Sequence, residues 1–253
     1  MRRASICLAV LGVALLALGG IASAAPTVSI KVKVVPIAGF PGTGYILGAG
    51  AAEQFEFTIS GTEYSGFPPP LIGVDNFLPK GTKLHPQGFP TCAVTTLEKA
   101  GLCPKSSQAG PLGSALGVVA FGSERVPEEV SVQPYFAPGG GLEFYVDGHT
   151  PAVIELISKG KFVPASGAFN QEFVGEVPLV ETVPGAPDGS TERINVKVGV
   201  ARMEKGKPVY YGTVPKKCPA GGFPFKAELL FAGLGGLAPQ TVPVSYTVPC
   251  PKK

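Results

Sequence analysis

Five segments of the chain alternate apolar and polar residues with a period of two, and this restricts the fold more than any other feature. Val28, Ile30, Val32 and Val34 alternate with Ser29, Lys31 and Lys33, and Phe55, Phe57 and Ile59 with Glu56, Thr58 and Ser60. Ile194, Val196, Val198 and Val200 alternate with Asn195, Lys197 and Gly199, and Phe225, Ala227, Leu229 and Phe231 include Lys226 and Glu228 between them. Val242, Val244, Tyr246 and Val248 form the last set, against Pro243, Ser245, Thr247 and Pro249. Successive side chains of a strand point to opposite faces, so each segment turns one apolar face inward and one polar face outward, as half-buried antiparallel strands do. No window of helical length shows a 3.6-residue period. The stretch from Pro151 to Ile157 is ambiguous by period, and its β-branched residues favour a strand. The pattern predicts an all-β, antiparallel β-sandwich with jelly-roll or Greek-key connections. Pro243 and Pro249 place the last strand at a sheet edge, where a missing N–H is tolerated.

With 35 Gly and 27 Pro the chain approaches the composition of a disordered protein, but 45% of its residues are apolar and only 15% charged. Segments that apolar do not stay solvated, so short strands joined by Pro/Gly turns is the reading that fits. The runs at 136–141 and 183–190 are short and strand-like sequence resumes on both sides, so they read as hairpin loops. One domain over 25–253 is expected.

The N-terminus has the three parts of a secretory signal peptide: Arg2 and Arg3, an apolar run from Ile6 to Leu18, and the small residues Ala22-Ser23-Ala24. The apolar run is shorter than the ~20 residues that span a bilayer, so residues 1–24 are expected to be removed and the mature chain to carry no transmembrane segment. Four cysteines then remain, Cys92, Cys103, Cys218 and Cys250. An even set in an exported chain implies two disulfides. Three pairings are possible. The pairing of sequence neighbours, Cys92 with Cys103 and Cys218 with Cys250, closes the smaller loops. Between the first two, Thr95-Thr96-Leu97-Glu98 carries a capping-box pattern and Gly101 a helix stop, which predicts one helical turn bracketed by a disulfide.

After removal of the leader 19 basic residues face 18 acidic ones. This balance has neither the basic stripe of a nucleic-acid binder nor the lysine cluster of an anionic-membrane binder. Motifs for catalysis are equally sparse. A Gly-x-Ser-x-Gly elbow and the zinc spacings of His and Cys do not occur, and His85 and His149 are the only histidines. Ser158-Lys159-Gly160-Lys161 matches Ser-x-x-Lys without the accompanying elements and reads as a turn. Glu128 and Glu129 are adjacent, so in a strand they face opposite sides. No cofactor or metal site is expected. The tripeptide Gly-Phe-Pro recurs at Gly39-Phe40-Pro41, Gly66-Phe67-Pro68, Gly88-Phe89-Pro90 and Gly222-Phe223-Pro224. These are either plugs closing the ends of the sandwich or, with Tyr64, an aromatic platform for a glycan or an envelope protein; Phe40, Phe67, Phe89, Phe223 and Tyr64 are its candidate ligand-binding residues.

Leu78-Pro79-Lys80-Gly81-Thr82, Phe89-Pro90-Thr91-Cys92, Cys103-Pro104-Lys105-Ser106-Ser107, Cys218 through Phe223, and Val248-Pro249-Cys250-Pro251 together resemble a group of exported actinobacterial proteins of unassigned function. The resemblance implies export and paired cysteines and carries no catalytic residues. The reading is therefore an exported, disulfide-stabilised β-sandwich with a non-catalytic binding or structural role at the cell envelope or outside the cell. A secreted hydrolase with carboxylates gathered from separate strands is the alternative; an adhesion or surface-layer module is a third. Protein recovered from the medium of an expressing culture is expected to start at Ala25, as read by intact mass; retention of residues 1–24 would refute the leader assignment.

Overall fold

The computed structural model describes residues 25–99, 103–121, 124–181 and 188–250. The leader, Gly101, most of the 183–190 run and Pro251 lie outside the described residues.

The chain forms β1 (Thr27–Val35), β2 (Ala52–Ser60), β3 (Leu71–Pro79), the two-residue β4 (Lys83–Leu84) and one helical turn, α1 (Val94–Leu97). It continues as β5 (Gly113–Phe121), β6 (Glu124–Phe136), β7 (Leu142–Gly148), β8 (Ile154–Pro164), β9 (Phe169–Glu176) and β10 (Ser190–Val198). The last part is β11 (Ala201–Glu204), β12 (Lys207–Tyr210), β13 (Gly212–Thr213), β14 (Phe223–Phe231) and β15 (Gln240–Val248). All five alternating segments are strands. The Ser158–Lys161 motif lies inside β8 rather than in a turn, and the Ser158 hydroxyl donates to the Glu176 carbonyl at 2.6 Å.

Eleven strands form one antiparallel sheet in the order β1-β2-β10-β5-β6-β7-β8-β9-β3-β14-β15. β5 to β9 are a meander of hairpins, inserted between β10 and β3 by long connections. The two layers of the expected sandwich are halves of this single sheet, which curls until β15 lies beside β1 and is nearly closed into a barrel. β15 is an edge strand, as its prolines require, with Pro243 opposite Glu228 of β14. Where β1, β2, β14 and β15 face one another the interior is solid. Phe55 and Phe57 of β2, Ile30 and Val32 of β1, and Phe225, Ala227, Leu229 and Phe231 of β14 are buried there, and the rings of Phe55 and Phe225 meet edge to face at 6.2 Å. Lys31 and Glu56 of β1 and β2 pair on the outside, as do Lys226 and Glu228 of β14. Apolar-in and polar-out is the reverse of the lipid-facing band of a transmembrane barrel.

Curvature in the meander is achieved with glycine. Gly160 of β8 and Gly175 of β9 are register partners, and a Cβ on Gly160 would sit 2.3 Å from the Phe173 ring. The bare backbone lets that ring lie across the sheet, where it packs on Phe144 and Phe162.

The two disulfides are Cys92–Cys103 and Cys218–Cys250, with Cα atoms 5.8 and 5.9 Å apart. The first brackets α1, whose Leu97 is fully buried on the outer face of the sheet against Tyr135, Tyr145 and Ile157. The capping box is not formed. Ala93 occupies the cap position and no side chain caps the helix, because the turn is held by the bridge and by burial of Leu97 rather than by its own end groups. The second disulfide joins the residues before β14 and after β15, so it fastens the edge hairpin at its open end. Closing that 32-residue separation is worth about 3.7 kcal/mol in the chain-entropy description. The Cys218→Ser/Cys250→Ser variant is expected to lose roughly this much in urea unfolding, with amide exchange accelerating first in β15; unchanged β15 exchange would show that the edge is held by packing alone.

Candidate binding cavity

Away from the packed side, the curled sheet encloses more space than its side chains fill. A cavity of about 220 Å³ lies between β2, β10, β5, β6, β7, β8, β9 and β3. Its wall is the inward set of these strands, including Phe57, Val74, Ala115, Val130, Phe144, Val146, Leu156, Phe162 and Ile194. An engineered apolar cavity of ~150 Å³ stays dry and takes up benzene. By that scale this one holds a body of about ten non-hydrogen atoms. An empty apolar cavity of 220 Å³ costs about 5 kcal/mol at ~24 cal/mol per Å³, a large fraction of a domain's stability.

The upper end, where β2 and β14 begin and β3 and β10 end, is closed by residues crossing over it. β13 pairs with β4, Ala51 donates to the Gly212 carbonyl and Val214 to the Ala49 carbonyl. Tyr211 lies beneath this crossing, with Phe89 and Phe136 packed on its ring. At the lower end Pro178, Leu179 and Val180 line the space. Leu179 is itself 51% exposed, so this part of the wall lies at the molecular surface.

Polar groups interrupt this apolar wall at both ends. At the upper end stand Glu53, Thr82 and Tyr211. Glu53 is second in β2, and even spacing from Phe55 and Phe57 turns it inward. It is half-buried and lines the cavity, and desolvation by burial pushes its carboxyl up to about 7. Burial, and then the Glu53 charge, also raise the Tyr211 phenol. The hydroxyls of Thr82 and Tyr211 are buried with no hydrogen-bond partner among the described residues. At the lower end Glu128 of β6 is 1% exposed. Its Oε2 accepts from the Ala152 N–H at 3.4 Å and its Oε1 has no partner. Gly148 makes room for this carboxyl, since a Cβ there would lie 2.7 Å from Oε1. Midway, the Asn76 carbonyl oxygen is likewise unpartnered. The lining contains no Lys, Arg or His.

The residues singled out by sequence are spread over the molecule. Phe89 is buried against Phe136 and Tyr211, above the cavity. Phe40 packs edge-on to Tyr210 at 6.3 Å. Phe223 is fully buried at the start of β14. Phe67 and Tyr64 belong to the lower loop between β2 and β3, where the Arg125 guanidinium stands 4.2 Å over the Tyr64 ring. The four Phe rings therefore do not share one platform. His149 is exposed and lies 3.2 Å from Asp147. Glu128 and Glu129 do face opposite sides, Glu129 pairing outside with Arg193 at 2.9 Å. Glu53 and Glu128 are the carboxyls that line the cavity. Glu53 is level with Val198 and Glu128, through Gly117, with Thr191. Seven residues of β10 separate those levels, so about 20 Å of strand lies between the pair, beyond the ~5–10 Å at which two carboxylates share a glycosidic bond. Sequence reading found the alternation of β2 and the opposite facing of Glu128 and Glu129, but it singled out none of Glu53, Thr82 and Tyr211 and did not find the enclosure they line. The signal for Glu53 was present: a Glu on the apolar parity of β2.

Comparisons with protein families, with curated proteins and with solved structures found no match. Among the described residues no helix is long and apolar enough to cross a membrane, which does not bear on strands.

Because the Glu53 carboxyl is raised in the folded state, the neutral form favours folding. Stability from this group is complete below the ordinary Glu value and is lost as pH rises through about 7. The difference amounts to on the order of 3 kcal/mol. Glu53→Gln is expected to be more stable than the parent at pH 8 and similar at pH 4, in urea melts at both; equal stability at pH 8 would mean that the carboxyl is solvated.

Proposed function

We propose that this chain is an exported, disulfide-braced binding protein that holds one small apolar molecule inside its barrel without chemically changing it. The apolar leader and the resemblance to exported actinobacterial proteins support export, and oxidised cysteines fit an oxidising compartment. The observation that carries the binding role is the cavity: about 220 Å³ enclosed mainly by apolar side chains. Unfilled, it is a stability cost with no structural return, and four polar groups without a full set of partners line it. Small-ligand sites have this form, a mostly apolar concave wall with a few polar groups that fix orientation.

Naphthalene, with ten carbon atoms, matches the volume and reports on its surroundings by fluorescence. It is expected to bind one-to-one and saturably. Ala115→Phe and, independently, Val146→Phe put a ring into the space and are expected to weaken binding at least tenfold while the circular dichroism stays that of the parent. Binding that is non-saturable, or that is untouched by both substitutions, would refute the interior site.

A further inference from the structure

The polar groups of the cavity are not a random sample. Among the described residues its upper end is lined by the Glu53 carboxyl and the hydroxyl residues Thr82, Tyr211 and Thr213, of which Thr82 and Tyr211 are buried without partners, its lower end by Glu128, Ser190 and Thr191, and no lining side chain is a cation. A carboxylate in an apolar enclosure is stabilised by a counter-charge or else takes up a proton. Among the described residues Glu53 makes no ion pair or hydrogen bond, and the Thr82 and Tyr211 hydroxyls, 3% and 2% exposed, have no partners. No group among the described residues bonds the Glu53 carboxyl or the Thr82 and Tyr211 hydroxyls, so the upper wall presents three oxygen-bearing groups whose bonding capacity the protein leaves unused.

The chemistry of a head group that would bond them follows from charge and from donor count. An anionic head such as a fatty acid carboxylate would face Glu53 with no cation to offset the repulsion. A neutral alcohol offers one donor and leaves the carboxylate uncompensated. A primary ammonium offers three N–H donors and a positive charge, against three oxygen acceptors of which one is a carboxylate. We infer that the upper end of the cavity takes a protonated primary amine on a compact apolar body, with the Glu53 carboxylate as counter-charge and the Thr82 and Tyr211 hydroxyls as further acceptors. The inference rests on the cavity being a ligand site. It assigns that site a ligand class, small apolar amines, and makes Glu53 the residue that selects it.

The lower carboxyl does not compete for the same head. Glu128 is about 20 Å of strand away from Glu53 and already accepts one backbone N–H. Among the described lining residues the titratable groups besides Glu53 are Tyr211, whose phenol is raised by burial and by the Glu53 charge and so neutral at physiological pH, and the distant Glu128.

The test is calorimetric titration of the oxidised, leader-free protein with n-octylamine, 1-octanol and octanoate, which share a chain of eight carbons and differ only in the head. At pH 8 octylamine is expected to bind at least tenfold more tightly than octanol, and octanoate not measurably. Lowering the pH to 5.5 protonates Glu53 while the amine stays charged, so octylamine is expected to weaken about tenfold or more and octanol to change less than twofold. Glu53→Gln should bring octylamine to the octanol level at pH 8; where that variant does not fold, the pH comparison on the parent decides. Octanol equal to octylamine, or octanoate tighter than either, would overturn the amine assignment and leave the cavity as a ligand site. Failure of all three compounds to bind would overturn both.

Discussion

Everything in this fold depends on the turning of a single sheet onto its own apolar face. An eleven-stranded sheet with one apolar side cannot remain open in water, and its unpaired edges would template aggregation. Curling resolves both problems, since the apolar sides of β2 and β14 meet and β15 comes to rest beside β1. The curvature concentrates in the meander, where the facing Gly160 and Gly175 let Phe173 lie across the strands. On the other side Phe55, Phe57, Phe225 and Leu229 interdigitate as an ordinary core.

A closed sheet of this many strands has an interior wider than two layers of side chains can fill. The packed side uses large residues, whereas the meander side has Ala115 and Gly117 facing in, and the cavity is what remains. Rigid walls keep it from collapsing. The aromatic group of Phe89, Phe136 and Tyr211 and the β4–β13 crossing close its upper end, and α1, bracketed by the Cys92–Cys103 bridge, packs through Leu97 on the outside of β6 to β8. Glu143 of β7 is buried, and desolvation raises its carboxyl against the opposing pull of Lys159. The outer acidic neighbours Asp75, Glu172 and Glu228 are a different case: they lie on an open sheet face with Lys226 among them and enclose nothing.

The cavity and the disulfides are linked through stability. An interior left partly empty, with unpartnered oxygens in its wall, gives up several kcal/mol that a filled core of this size would keep. Two bridges, of about 3 and 4 kcal/mol on the entropic estimate, are of the magnitude needed to offset that loss. The bridges thereby offset the cost of the unfilled space, and under the proposed binding role a ligand that fills it would add to stability by mass action.

The sequence by itself determined the five alternating strands, their inward faces and the edge position of β15, and favoured the observed one of three cysteine pairings, because each of these draws on local pattern. Period two, a missing proline N–H and the loop closed between neighbouring cysteines are all legible in a short window. It did not determine the helix cap: the Thr95–Glu98 pattern is present, but burial of Leu97 and the bridge set where the turn begins. Nor could it tell two stacked sheets from one sheet rolled up, since both use the same alternation. The cavity and its polar ends were decided by tertiary structure alone. Glu53, Thr82 and Tyr211 come from three separate stretches of chain and meet only because long connections carry β3 and β10 to their places on either side of the meander, and enclosure depends on which faces meet, a quantity no local pattern encodes.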